Sequence, residues 1–341
     1  MTETSNSDKA SYGNFQNPLG LVYRMLRSGK RPAYSALFRE GLGIAAKPVD
    51  ALLAGKEARR VAEAEETDTP VILIVGPPRS GTTLLYQVLA YSLDVTYPSN
   101  FSGLFPRSPI SMNGTAKKRR PDFQSFFGQT SRMSGPNDAF HIWNRWLGDD
   151  RYVTRTDLSD EEIAEMRRFF AAWTSKFGKP FLNKNNRNVH CISYLAEHLP
   201  NTYFVGVVRD PACVARSLIH AREAVQGNKN IGWGLQCQED HCHRDPLGYV
   251  QDVCDQVRRN EKDLQDKLAA IDPGRVVQLR YEGFCKETDE CIDRIVDHIP
   301  GLARSKNANR LGANAFDISM SKPLSDAEEE IIGRNFPPAN S

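Results

Sequence analysis

The chain has 341 residues, 40% of them hydrophobic and 25% charged, proportions of an ordinary globular protein with length for one large domain or two small ones. Lysine and arginine total 44 against 42 for aspartate and glutamate, a balance that excludes a general polyanion-binding surface and with it nucleic acid as a partner. No apolar run approaches the roughly 20 residues that cross a bilayer. The opening MTETSNSDKASYGN holds no signal-peptide core, and seven scattered cysteines read as reduced thiols of a cytoplasmic protein.

Residues 1–15 read as a disordered tail and 16–66 as a helical extension, ahead of a main domain over 67–341. Leu21, Met25 and Leu26, then Leu37, Leu42 and Ile44, fall at helical spacing. Pro32 and Pro48 are expected to break this region into short helices. It reads either as a helical preface packed on the main domain or as a basic amphipathic surface over 19–64 that touches a membrane or a lipidic substrate.

The main domain opens with a strand, VILIVG, followed by a helix over Gly81–Ser92. Thr96–Pro136 is rich in Pro, Gly, Ser and Asn and too long for a plain connection, so 96–158 reads as acceptor-side loops or a lid. Ser159-Asp-Glu-Glu162 is a capping box for a helix to about Phe177. A strand at Pro180–Asn183, a helix at Val189–His198, a strand at Tyr203–Val208 and a helix at Ala212–Ala224 follow. A Gly/Asn-rich loop leads to a helix from about Leu247 to Ala270, a strand at Val276–Leu279, and a last helix capped by Ser325-Asp-Ala-Glu328. Short apolar strands alternating with helices predict an α/β fold, P-loop-like and three-layered, with a central parallel sheet.

The segment VILIVGPPRSGTTLL is a strand, a tight loop and a helix start, the arrangement that cups a phosphate on backbone N–H groups. Pro78, Arg79, Ser80, Gly81, Thr82 and Thr83 line that cradle. Gly76 and Gly81 have the spacing of a nucleotide P-loop, but Thr82 stands where its lysine belongs. Three strands lead to a cation: Arg79, Lys184 and Arg209. If the strands are neighbours, all three reach one crevice beyond their carboxyl ends. The alternative is three surface charges, each with its own carboxylate, which Asp210 makes plausible for Arg209. A ligand with phosphates at two centres suits the crevice, with the Ser217 hydroxyl as a further donor.

With these motifs in order, the chain resembles the sulfotransferases that use 3′-phosphoadenosine 5′-phosphosulfate (PAPS). GPPRSGTTLL is similar to the family's 5′-phosphosulfate loop in its arginine-bearing form, as in the Golgi-type and bacterial branches, and VVRDPACVARS to its 3′-phosphate motif. FLNKNNRNVHCISYLAEHLPNTYF resembles the Asn-Lys segment of the tyrosylprotein branch, and LRYEGF the family's Tyr-Glu strand end. The resemblance covers about Val71 to Lys286. It implies that Arg79 and Lys184 clamp the sulfuryl group, that Arg209 and Ser217 take the 3′-phosphate, and that Tyr281 lies by the nucleotide. It also implies release of 3′-phosphoadenosine 5′-phosphate (PAP) without a metal. At Asn100 the chain departs from the glutamate of the tyrosylprotein branch, and the Arg-Lys-Gly loop of the animal cytosolic branch is not evident.

The acceptor hydroxyl needs a base. Asp138 and His141 are the candidates, three apart and on one face if that stretch is helical. The plainer readings are a helix N-cap for Asp138 and a half-buried helix histidine for His141. Phe140, Trp143 and Trp146 are expected to wall an acceptor pocket, with Trp233 at its mouth. His190 is a weaker base. Cys237, His241, Cys242 and His243 match no usual metal spacing and read as a solvated loop, and no metal is expected. Two other functions fit parts of the pattern: a P-loop nucleotide kinase or ATPase, and a binding module that keeps the nucleotide but not the chemistry.

Overall fold

The computed structural model describes residues 17–115, 120–149, 154–318 and 323–337; the expected tail over 1–15 lies outside them. α1 (Pro18–Arg27) starts at Asn17, whose side chain accepts from the Gly20 N–H at 2.7 Å. α2 runs unbroken over Arg31–Ala62, so the expected division at Pro48 does not occur. Pro48 lies on the exposed side, where water can serve the carbonyl its ring frees, and Pro32 sits in the first turn, where an N–H has no helical acceptor. α2 is held instead from its inner side, where Arg39, Asp50 and Glu57 are buried.

β1 (Val71–Val75) is buried throughout and feeds α3 (Thr82–Ser92). A short helix, α4 (Pro109–Met112), and a two-stranded hairpin, β2 (Ser125–Phe126) with β3 (Gln129–Thr130), lie in the long loop region before α5 (Phe140–Leu147). α6 (Asp160–Phe177) carries the expected capping box and leads to β4 (Phe181–Lys184). A 3₁₀ turn over Asn186–Cys191 precedes α7 (Ile192–His198), so the helix expected from Val189 begins as a tighter coil. β5 (Thr202–Val208), α8 (Pro211–Gln226), α9 (Gly248–Ala269) and β6 (Val276–Arg280) follow. α10 (Tyr281–Lys286), α11 (Thr288–His298) and α12 (Asp326–Asn335) complete the described chain, the last with its capping box formed.

The sheet is parallel with strand order β4-β1-β5-β6. Alternate residues of β1 face two cores, because side chains in a strand alternate sides. Val71, Leu73 and Val75 join Phe181 and the aromatics of α5 and α6, while Ile72 and Ile74 join Leu182, Val205 and the buried faces of α3 and α11. Helices thus cover both faces, as a continuously apolar parallel sheet requires. With β1 flanked by β4 and β5, the carboxyl ends that lead to Arg79, Lys184 and Arg209 stand side by side.

Candidate functional site

The loop after β1 is shaped by two glycines. A Cβ at Gly76 would stand 2.7 Å from the Val207 carbonyl oxygen, and one at Gly81, where φ is +96°, would stand 2.2 Å from the Tyr281 ring. The first glycine lets the loop pass β5, and the second lets Tyr281 lie flat against the helix start. Arg79 takes a left-handed conformation at φ 72°, the kind of backbone outlier that collects at ligand sites. The Ser80 hydroxyl closes the loop on the Pro77 carbonyl at 2.8 Å, and Thr82 Oγ1 donates to Asn186 at 3.4 Å. Pro78 is packed beneath Gly234. The first-turn N–H groups of α3, at Thr82 and Thr83, have no helical acceptors and point out of the helix start.

Arg79 Nε donates to Ser217 Oγ at 2.9 Å, and Arg209 Nη1 donates to the Arg79 carbonyl at 3.2 Å. The Arg209 guanidinium lies 4.5 Å from the centre of the Tyr281 ring. Cradle, α8 and the end of β6 therefore meet. Burial, with repulsion from Arg209 next, lowers the Arg79 guanidinium to about 10, and only the Tyr281 phenol opposes this. Among the described residues, no ion pair forms at Arg79. Asp210 does not serve Arg209 as a surface partner. Its carboxylate caps α8 by accepting from Cys213 N at 2.8 Å. Two guanidiniums crowded in a buried crevice fit an anion with more than one centre.

Lys184 ends β4 with its side chain only 3% exposed, and its Nζ donates to Asp138 Oδ2 at 2.8 Å. Asp138 is not a helix N-cap. Ala139, in the left-handed region at φ 56°, separates it from α5, and the cap of that turn is Asn137, which accepts from Ala139 N. The shared helical face with His141 therefore does not form. Asn185 Nδ2 donates to the Asp138 carbonyl at 3.1 Å and fixes that backbone. His141 is half-buried with a fully buried Nε2 that has no hydrogen-bond partner among the described residues. Burial, aided by Arg145, lowers its imidazole to about 3.

The tryptophans expected to wall a pocket are core residues instead. Trp143 and Trp146 are fully buried against Phe169 and Phe170, and Trp143 Nε1 donates to Asn183 at 2.8 Å. Phe140 is half-buried beneath the Arg187 guanidinium. His190 is tied at 3.1 Å to Asp263 on α9, behind the sheet. Asn100 is a structural clamp: its amide donates to Thr130 Oγ1 at 2.9 Å and to the Arg132 carbonyl at 2.8 Å.

The residues that sequence reading missed are Phe127 and Gly128, the turn of the β2–β3 hairpin. The Arg79 guanidinium lies 5.1 Å from the centre of the Phe127 ring, and Trp233 packs edge-on against Phe127 at 6.0 Å. A Cβ at Gly128, where φ is +94°, would stand 3.7 Å from Asp138 Oδ2 and 4.0 Å from Lys184 Nζ. The turn therefore roofs both the cradle and the ion pair. A Phe-Gly step between two polar, strand-forming stretches is its sequence signal.

In the cysteine-rich loop, ligand atoms of Glu239, Cys242 and His243 lie within 4.8 Å of one another. His241 faces Asp255 at 3.6 Å, and Cys254 belongs to the core between α8 and α9. None of the seven cysteines forms a disulfide among the described residues. No helix of the described residues is long and apolar enough to cross a membrane.

A sequence model of the sulfotransferase family matches residues 70–303. Two curated relatives, the omega-hydroxy-beta-dihydromenaquinone-9 sulfotransferases Stf3 of Mycobacterium bovis and Mycobacterium tuberculosis, are each 25% identical over 267 residues. The match takes in 71% of this chain and 65% of each relative, so the chain spans just under two thirds of their length. Among solved structures, sulfotransferase STF1 from Mycobacterium tuberculosis H37Rv aligns with a TM-score of 0.53 at 13% identity, covering 94% of this chain and 91% of that one. At that identity the likeness speaks for the fold.

Proposed function

The chain belongs to the sulfotransferase family, and we propose that it moves the sulfuryl group of PAPS to the hydroxyl of an amphiphilic small molecule and releases PAP. One observation carries this reading. A lysine–carboxylate pair, buried Lys184 and half-buried Asp138 at 2.8 Å, stands under the same roof as the Arg79 cradle. A P-loop kinase would need the lysine that Thr82 replaces.

In this scheme the α3 N–H groups and the Thr82 and Thr83 hydroxyls hold the 5′-phosphate. Arg209, fixed over Tyr281, and Ser217 take the 3′-phosphate. Asp138 accepts the proton of the acceptor hydroxyl as its oxygen bonds to sulfur. The bond from sulfur to the bridging phosphate oxygen breaks, and the electron pair leaves with PAP. Arg79 and Lys184 meet the charge that grows on the equatorial and bridging oxygens, the preorganised stabilisation that dominates such transfers. No metal is called for in this scheme, because Arg79 and Lys184 supply the positive charge. His141 is not assigned as the base, because its Nε2 is fully buried and burial lowers its imidazole to about 3. The relatives' names, which specify a hydroxylated menaquinone, support an apolar acceptor body with a hydroxyl end.

The test is thermal stabilisation by PAP, followed by PAPS turnover in chelator against a long-chain alcohol, a phenol and an amine. Stabilisation, with sulfated alcohol formed without magnesium and lost in Asp138→Asn, is the expected result. Magnesium-dependent ATP turnover, or stabilisation without transfer to any acceptor, would overturn the reading.

A further inference from the structure

α2 departs from an ordinary surface helix on both sides. Its inner face holds charged side chains. Arg39 donates to the Thr130 carbonyl and to Gln129, both at 2.8 Å. Asp50 accepts from Arg107 N and Ser108 Oγ, and Glu57 accepts from Ile110 N and Ser111 N. Its outer face carries an apolar stripe between exposed cations. Tyr34, Phe38, Val49 and Leu52 are all exposed and fall along one stripe at helical spacing. α1 repeats the pattern with exposed Leu19, Val22, Tyr23 and Leu26, an i, i+3, i+4, i+7 set. Leu19 is 84% exposed and Leu52 82%, and every large exposed hydrophobic among the described residues lies between positions 19 and 52. Such a concentration marks an interaction surface.

Charge identifies the occupant. Residues 18–62 hold nine basic and three acidic side chains in a chain whose total is only +2. Arg27, Lys30, Arg31, Lys47, Lys56 and Arg59 are exposed, whereas two of the three acids, Asp50 and Glu57, are buried inward. A second copy of this face would bring cations against cations. An anionic lipid surface complements both parts, since its headgroups meet the cations and its acyl boundary accepts the stripe.

We infer that α1 and α2 form a docking surface for an anionic membrane, lying in the interface with the apolar stripe inserted. The surface is coupled to the site. Met25, Ala33 and Ala36 pack with Phe126, and Leu21, Leu37 and Phe127 close that cluster. The Phe127–Gly128 roof over Arg79 and Lys184 therefore rests on the lipid-facing helices, where an acceptor carried in the bilayer would arrive. The proposal goes beyond the donor chemistry and stands without it.

The full chain is sedimented with vesicles of phosphatidylcholine alone and of phosphatidylcholine with phosphatidylglycerol, without donor or acceptor. Binding at least about 10-fold tighter to the anionic vesicles, and weakened by salt, is expected. Phe38→Glu with Leu52→Glu should reduce it at least about 10-fold. These side chains point into water, so stabilisation by PAP serves as the control for folding and for the donor reading. Lys30→Gln with Lys47→Gln should lessen the salt dependence and leave the stripe intact. No binding to anionic vesicles would overturn the proposal. So would binding unchanged by the glutamate pair, or a dimer in light scattering that the pair converts to monomer.

Discussion

The proposed donor cradle is assembled from neighbours in sequence, with Gly76, Ser80 and Gly81 setting the loop. The loops of the proposed acceptor side are held from far upstream. Arg39 reaches Gln129 and Thr130, while Asp50 and Glu57 reach residues 107–111. The first arrangement concentrates information in a dozen residues. The second spreads it over single polar contacts, each replaceable by another of the same reach. A donor used throughout a family can be met by the first kind of site, while acceptors that differ among members suit the second.

The sharpest way to break this contrast is at the point where the two sides meet. Lys184→Ala and Asp138→Asn should each lower kcat about 10²- to 10⁴-fold, and the double variant should fall little further, because the two act as a unit. Additive losses in turnover would assign them to separate tasks. On the donor side alone, Arg209→Ala removes a charge-assisted contact worth about 1.5–3 kcal/mol, so PAP affinity should drop about 10- to 100-fold. Adenosine 5′-phosphosulfate, which lacks the 3′-phosphate, should hardly notice in a calorimetric titration.

On the acceptor side, Glu57→Ala leaves the N–H groups of Ile110 and Ser111 without their acceptor, at a cost of about 1–3 kcal/mol in urea unfolding. It should raise acceptor KM and leave PAP affinity unchanged; an equal loss of PAP binding would show that the two sides are one cooperative unit. The smallest effect concerns His141. Its imidazole is lowered to about 3 in the folded chain, so between that value and its ordinary one the unfolded chain takes a proton that the folded chain refuses. Stability should therefore fall as pH drops below about 6.5, by up to about 1.4 kcal/mol per unit. Unfolding midpoints at about pH 7 and about pH 5 should differ less in His141→Gln than in the unchanged protein.

The same contrast explains what the sequence disclosed. The cradle was legible because two glycines five apart after an apolar strand leave few other geometries, and strand neighbourhood then gathered the three cations. Both capping boxes were legible because they are local. Pro48 misled because a breaker acts locally, whereas α2 is fastened by three buried charges to loops not yet reached along the chain. The i, i+3 pair of Trp143 and Trp146 reads equally well as pocket wall or core, and only the packing of α6 decides it. The shared helical face expected for Asp138 and His141 failed in the same way: the left-handed turn at Ala139 lies between Asp138 and the helix, and no pattern of side chains announces that turn.

The buried charges of α2 also bear on the order in which the chain is made. A helix with three charges on its buried side and an apolar stripe on its exposed side leaves the ribosome before residues 107–111 and 129–130 exist. Until they arrive, Arg39, Asp50 and Glu57 have only water to satisfy them, and nothing in the emerging chain covers Phe38 or Leu52. A lipid surface close to the site of synthesis would shelter that stripe early and hold the helix in place until the loops that fasten it are complete.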